Sequence, residues 1–346
     1  KNKDINEDVE LRLVKNPNYW EYDDNGNKLP YLDVIKITFN NNKKIELTNF
    51  RKGNLDMVYQ LPVEELDELL VSLDSAKNGG NPEFKLQSNK EDGLSISYYC
   101  FNMLNPLFQK KEIRKAFNLA IDREKITKYS LHGEAEAALH GLVPGLRNSN
   151  GFKVKGFDYN PDLARKMLAN AGYPNGKGFP ELELDISESN YLSAIVAEAI
   201  QKMLKDNLGI NVSVNYQTLS SQMDKFTNAK SDFWGMIWLA DYPDPQNFLQ
   251  LFNGAMVPGD SEASYTNASR YINPIFDQFY SDAIHTQSKQ VAMDNYYKAD
   301  SVLIADAAFI PIYYEHKIRL LQNNVRALPI NSMEHRDFTR VFLSKK

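Results

Sequence analysis

Between Leu182 and Gln217 the chain carries the pattern that most restricts its fold. Leu182, Leu184 and Ile186 alternate as a strand, and Leu192, Ile195, Val196, Ala199, Ile200, Met203 and Leu204 then recur at helical spacing up to Gly209. Val212, Val214 and Tyr216 alternate again. Strand, helix and strand at this spacing make a βαβ unit, so its two strands are expected to lie parallel.

The rest of the chain alternates strands and helices in the same way. Val9–Leu13 reads as a strand ending at the turn Asn16-Pro17-Asn18, and Ile35, Ile37 and Phe39 share one face of a second strand, with Asp23–Asn27 as a hairpin turn before it. A helix over Lys43–Arg51 stops at Gly53 and precedes a short strand at Asp56–Tyr59. Pro62 opens another helix, with Leu66, Leu69, Leu70 and Leu73 on one side.

Ser95–Asn102 is a β-prone run long enough to pass from one domain into the next. Ile113, Ala116, Phe117, Ala120 and Ile121 follow on a helix, and Asp122 caps the next one. Asn160-Pro161 starts a helix that Gly172 ends. Met223–Ala229 is expected to be helical, Phe233–Trp238 a strand, and Asp244 the cap of a helix with Pro245 at its first position. Helix is expected from Pro274 to Asp306, then strands at Phe309–Tyr314 and Ile318–Leu321. At about 150 residues per domain, 346 residues imply two domains, and the alternation implies α/β lobes.

Composition removes several classes of function. Forty Lys+Arg against 45 Asp+Glu leave a net charge of -5 with no basic block, so nucleic acid is not an expected partner. The single cysteine, Cys100, makes neither an internal disulfide nor a Cys-cluster metal site. No window reaches the ~20 apolar residues that span a bilayer. The N-terminus is polar and lacks a signal-peptide core, which leaves open a cytoplasmic chain, a processed form or a piece of an exported precursor. His132, His140, His285, His316 and His335 form no zinc-protease pair, and no nucleophile elbow, phosphate loop or dinucleotide fingerprint occurs. No cofactor or metal is expected. A glycosidase-like carboxylate pair is left open, since its acids can come from anywhere in the chain.

The most site-like stretch is Trp234-Gly-Met-Ile-Trp238-Leu-Ala-Asp241-Tyr242-Pro-Asp-Pro245. Trp234, Met236 and Trp238 share a strand face, and Asp241 falls just past the strand's C-terminal end, where open α/β sheets bind ligands. With Asp244 occupied as a cap, Asp241 is available to a cation such as a ligand ammonium. The competing reading makes Asp241 an Asx turn before Pro243 and both tryptophans core. Tyr98, Tyr99, Tyr313 and Tyr314 either line a cleft or pack within a sheet, and Lys110–Lys115 reads as a solvated charged face.

Several blocks, in order, resemble the family 5 extracellular solute-binding proteins, the oligopeptide and dipeptide receptors of ABC importers. They are Asn16-Pro17-Asn18-Tyr19-Trp20, Leu29-Pro30-Tyr31-Leu32-Asp33, Phe50–Asp56, Tyr99–Asn102 with Pro106-Leu107-Phe108, Ile113–Arg123, Asn160–Tyr173 and Ala240–Pro245. The resemblance implies an α/β, periplasmic binding protein-like (class II) fold of two lobes with mixed sheets. Residues 1–96 with 315–346 would form part of the N-terminal lobe and 97–314 the ligand-binding lobe. The first of these would be incomplete, because relatives carry a signal peptide and an N-terminal region before the Asn-Pro-Asn-Tyr-Trp block.

The implied function is capture of peptides outside the cytoplasmic membrane, in the periplasm or at the cell surface, and delivery to an ABC permease, without catalysis. The protein is expected to be monomeric, touching the membrane only through a lipid anchor or permease outside this chain. In peptide-binding relatives the aspartate matching Asp241 pairs with the ligand's α-amino group and the tryptophan matching Trp238 lies beside it. Trp234, Tyr242, Tyr313 and Tyr314 complete the expected ligand-binding set. One departure bears on the ligand: relatives often place an arginine shortly before the Trp-x-x-Asp stretch, whereas this chain has Lys225 and Lys230. Metal chelates, haem and sugars, also bound in the family, therefore stand beside peptide. The rival from another class is a secreted hydrolase with paired carboxylates in the same cleft, and a third reading is a scaffold with a vestigial cleft.

Overall fold

The computed structural model describes residues 5–6, 10–40, 42–59, 61–62, 65, 84–88, 93–132, 135–146, 153–188, 191–259, 262–333 and 335–345. Leu66, Leu69, Leu70 and Leu73, expected on one helix, lie outside them. The chain divides into two units, Lys1–Lys90 with Lys317–Lys346, and Glu91–His316.

In the first unit, strands β1 (Ile5–Asn6), β2 (Glu10–Val14) and β3 (Val34–Thr38) form an antiparallel sheet in that order. Leu11 pairs with Ile37 and Leu13 with Ile35, so these four apolar residues fall on one face, while Val14 and Val34 pair on the other. The turn at Asp23–Asn27 lies within the β2–β3 connection and closes a small antiparallel hairpin there, as expected. Asp23 accepts the N–H groups of Asn25 and Asn27 at 2.9 and 2.7 Å, beneath a bridge between Tyr22 and Lys28.

The helix Lys43–Arg51, capped by Asn42, lays Leu47 and Phe50 on a second small sheet, where they join Val58, Leu61, Phe84 and Leu320 in one core. That sheet contains β4 (Met57–Tyr59) and β5 (Phe84–Ser88) on either side of β12 (Ile318–Gln322). Strands β13 (Val325–Arg326) and β14 (Phe342–Leu343) pair with each other.

The second unit is built on one mixed sheet. Its strands are β6 (Ser95–Phe101), β7 (Ala135–Ala137), β8 (Leu182–Ser187), β9 (Val212–Gln217), β10 (Phe233–Leu239) and β11 (Phe309–Glu315), in the order β7-β11-β6-β10-β8-β9. β8 runs parallel to β9 across the helix Tyr191–Leu208, as the βαβ pattern requires, and parallel to β10, while the other pairings are antiparallel. β6 lies wholly inside this unit, because it pairs along its length with both β10 and β11.

Beneath the sheet, Phe101 and Phe233 stack at 5.5 Å, and Phe108 and Phe117 close around them. Two buried arginines tie loops to this core through backbone carbonyls. Arg123 donates to Pro311 and Asn118, and Arg114 to Phe108, Gln109, Asp306 and Ala307. Arg114 thus departs from the solvated face expected of Lys110–Lys115: the helix Lys111–Ala120 turns it inward, where clustered carbonyls replace its water.

The helical run expected from Pro274 to Asp306 is two helices, Pro274–His285 and Lys289–Asp306. They separate where Ser288 caps the second one by accepting the Val291 N–H.

Candidate functional site

Asp241 stands just past the C-terminal end of β10, on the side where the parallel strands β8 and β9 also end. Ala240 is still tethered to the sheet, its N–H donating to the Leu94 carbonyl at 2.9 Å. The chain then turns through Tyr242 and Pro243 into the short helix Gln246–Leu249. Pro245 holds the N-cap position of that helix, one residue later than expected and without a side-chain cap, while Asp244 accepts the Gln246 N–H at 2.9 Å from the turn before it.

One side chain organises the site. Asn247 is fully buried, and its amide oxygen accepts both the Trp238 indole N–H and the Asp241 backbone N–H at 3.0 Å. Its amide nitrogen donates to Asp241 Oδ2 at 3.3 Å. The donor and acceptor ends of the amide are therefore both used, fixing a half-buried indole beside an exposed carboxylate. Among the described residues Asp241 forms no ion pair. Its side chain bonds Asn247 rather than closing an Asx turn before Pro243.

The expected site residues divide into two groups. Asp241, Trp238 and Tyr242 come together; Tyr242 is exposed, its hydroxyl bonded to Gln246, whose amide in turn donates to Tyr280 at 2.8 Å. Trp234 instead lies in the core, stacked on Phe226 at 5.5 Å, because it sits four positions back along β10. Tyr313 and Tyr314 are buried in β11, with the Tyr314 hydroxyl donating to the Gly141 carbonyl at 2.7 Å. Neither belongs to the group around Asp241. Register places Trp238 beside Ile96, Ile96 beside Tyr314 and Tyr314 beside Glu136, a row across four strands whose tyrosine is consumed in packing.

Residues 1–257 match the family described as "Bacterial extracellular solute-binding proteins, family 5 Middle". The chain belongs to that family. Family 5 members are binding proteins. The dipeptide-binding protein DppE of Bacillus subtilis is 27% identical over 327 residues, covering 93% of this chain and 55% of DppE. Heme-binding protein A of Haemophilus influenzae is 27% identical over 319 residues, covering 89% of this chain and 52% of that protein.

The chain thus spans about half the length of these curated relatives. Among solved structures, the periplasmic binding protein DppA of Helicobacter pylori, in complex with the peptide STSA, matches with a TM-score of 0.80. It is 21% identical, and the match covers 99% of this chain and 62% of that one. The fold is therefore that of the periplasmic binding proteins, α/β with mixed sheets.

Asn247 was not legible as a site residue. It carries no periodic signal, and only its position in the first turn of the short helix after the Trp-x-x-Asp stretch brings it back under Trp238. Two absences hold among the described residues: no cluster of His, Cys, Asp or Glu could hold a metal ion, and no helix is long and apolar enough to cross a membrane.

Proposed function

We propose that this chain is the solute-capturing part of an ABC importer's binding protein, working outside the cytoplasmic membrane and delivering its solute to a permease. Its solute is a peptide, held by the α-amino group at Asp241 and left chemically unchanged. The observation that carries this reading is the exposed Asp241 carboxylate, unpaired with any cation among the described residues and fixed beside the Trp238 indole by buried Asn247.

A fixed carboxylate next to a half-buried aromatic suits an ammonium group. It offers a charge-assisted hydrogen bond, and the ring offers a face to the first residue of the ligand. Because a dipeptide-binding and a haem-binding relative are equally similar to this chain, identity does not choose between their ligands. Charge supports the peptide: the propionates of haem would be repelled by Asp241, whereas a peptide's amino end would be attracted.

The test is calorimetric titration of a free-amine tetrapeptide and its N-acetylated form into the wild type and Asp241→Asn. Binding of the free amine should weaken about tenfold in the variant, the scale of a charge-assisted hydrogen bond, while binding of the acetylated peptide is unchanged. Equal losses for both peptides would remove Asp241 from the role. Recovery of cleaved peptide after incubation would point to the hydrolase instead.

A further inference from the structure

Strand β12 of the first unit has two unlike faces. Leu320 and its cross-strand partners Val58 and Leu86 pack in or against the apolar core, so Arg319, with its partners Tyr59 and Gln87, falls on the opposite side. On that side lies a cavity of about 10 Å3, the space of one water-sized guest, whose lining includes Tyr59, Lys317, Arg319, Asn331 and His335. We infer that the cavity is a binding site for one small anion, a halide or a single carboxylate oxygen, held by Arg319 and the Tyr59 hydroxyl with Arg336 close by. All of these residues belong to the first unit, and the site is independent of the role proposed for Asp241.

Arg319 is 2% exposed, yet its guanidinium has only neutral partners. Nε donates to Gln87 Oε1 at 2.7 Å, Nη1 to the Tyr59 hydroxyl at 2.9 Å and Nη2 to the Leu328 carbonyl at 3.0 Å. These bonds use three of the five N–H groups of an arginine. The buried Arg114 and Arg123 of the second unit make four each. No carboxylate among the described residues pairs with Arg319. A buried cation without a counter-charge is costly, and an anion in the cavity that Arg319 lines would bring both the charge and a further acceptor.

The neighbouring groups have the same need. The Tyr59 hydroxyl accepts from Arg319, and its own proton has no acceptor among the described residues. The guanidinium carbon of Arg336 lies 4.0 Å from the centre of the Tyr59 ring and that of Arg319 5.8 Å, so one ring serves two cations. Arg336 is exposed and makes no hydrogen bond or ion pair to any described residue. Asp337, next to it in sequence, accepts the N–H and hydroxyl of Thr339 instead, at 2.8 and 2.6 Å. Two guanidiniums around one ring repel each other, and an anion beside them offsets that repulsion.

The walls are built in advance. Gln87 Nε2 donates to the Leu328 carbonyl at 3.1 Å and Lys85 to the Val325 carbonyl at 2.7 Å, which ties the segment after β12 to the sheet. Asn331 and His335 clasp each other, the Asn331 amide donating to the His335 carbonyl at 2.7 Å and the His335 N–H to Asn331 Oδ1 at 3.0 Å. A guest entering such a site has little chain left to order. The volume suits one atom, so the guest is a halide or the tip of a carboxylate rather than a sulfate or phosphate.

The test follows the width of the chloride NMR signal as protein is added, with sodium methanesulfonate, whose head group is too broad for the cavity, holding the ionic strength constant. The wild type should broaden the signal saturably, and chloride should raise its melting temperature more than methanesulfonate does. The double variant Tyr59→Phe/Arg336→Gln leaves buried Arg319 in place and should weaken chloride binding about tenfold, the scale of a hydrogen bond to a charged group. Acetate that narrows the signal again would extend the site to carboxylates, and acetate without effect would assign it to halide alone; either supports the anion site. Equal broadening by wild type and variant, or melting temperatures that respond alike to the two salts, would overturn it and leave the Asp241 reading untouched.

Discussion

The β2–β3 sheet of the first unit and strands β6 and β11 of the second carry equally strong strand patterns and meet opposite environments. All seven residues of β6 and all seven of β11 are buried, including Ser95 and Ser97. In β2 and β3 Leu13, Val14, Val34 and Ile37 are exposed, as is Phe39 just beyond. Alternation is a local property that makes a strand. Whether its apolar face disappears from water depends on what lies above it.

The largest expected effects lie in the covered sheet. Ile96→Ala in β6 removes a fully buried side chain between two paired strands, and should cost about 2–5 kcal/mol, checked by chemical unfolding. Gly141→Ala is expected to be comparable, about 3 kcal/mol, because a Cβ there would lie 2.0 Å from Asp300 Oδ2 and 2.4 Å from its Cγ, in a place already bonded to Tyr314. If both variants unfolded like the wild type, the contrast between the two sheets would rest on exposure alone, without energetic content.

Asn247→Leu comes next. It leaves the indole N–H of Trp238 and the backbone N–H of Asp241 without their acceptor, and should cost about 1–3 kcal/mol. Tryptophan emission and peptide affinity should change together. A change in stability with unaltered peptide affinity would separate Asn247 from the site.

A smaller effect depends on pH. Burial pushes the Asp300 carboxyl up to about 7 from an ordinary value of 3.8, against the opposing pull of the Leu142 and Val143 N–H groups. Between those values the folded chain holds a proton that the unfolded chain has released. This contribution to stability is therefore fully present below 3.8 and is lost as pH rises through about 7. The melting temperature of the wild type should fall more steeply from about pH 5 to 8 than that of Asp300→Asn. Parallel profiles would remove Asp300 as the source.

What could be read from sequence follows the same division between local pattern and covering layer. The βαβ unit, the caps at Asp122 and Asn160, and Asp241 beyond a strand end are local arrangements, and the structure repeats each of them. The break before Ser288 is local too, but it lacks glycine or proline, and a polar Thr-Gln-Ser step is easily read through as helix. Trp234, Tyr313 and Tyr314 were harder in kind. An aromatic residue on a strand fits a cleft wall or a sheet core equally well, and only the neighbouring Phe226 and Gly141 decide for two of them. Asn247 was harder still, since its role comes from two partners that reach it through a turn.

The smallest prediction concerns the uncovered face. Ile37 pairs with Leu11 on β2 and is 37% exposed, so replacing it with threonine keeps a β-branched residue in the strand and gives up little burial. Ile37→Thr should change unfolding free energy by no more than about 0.5 kcal/mol, the range of ordinary surface substitutions. The isoleucine at position 96 and the one at position 37 would then differ several-fold in their energetic weight, although both read as strand residues in the sequence. A loss at Ile37 as large as that at Ile96 would mean that the β2–β3 face is covered in solution. Sedimentation of the wild type over a range of concentrations would then show whether a second copy of the chain provides the cover.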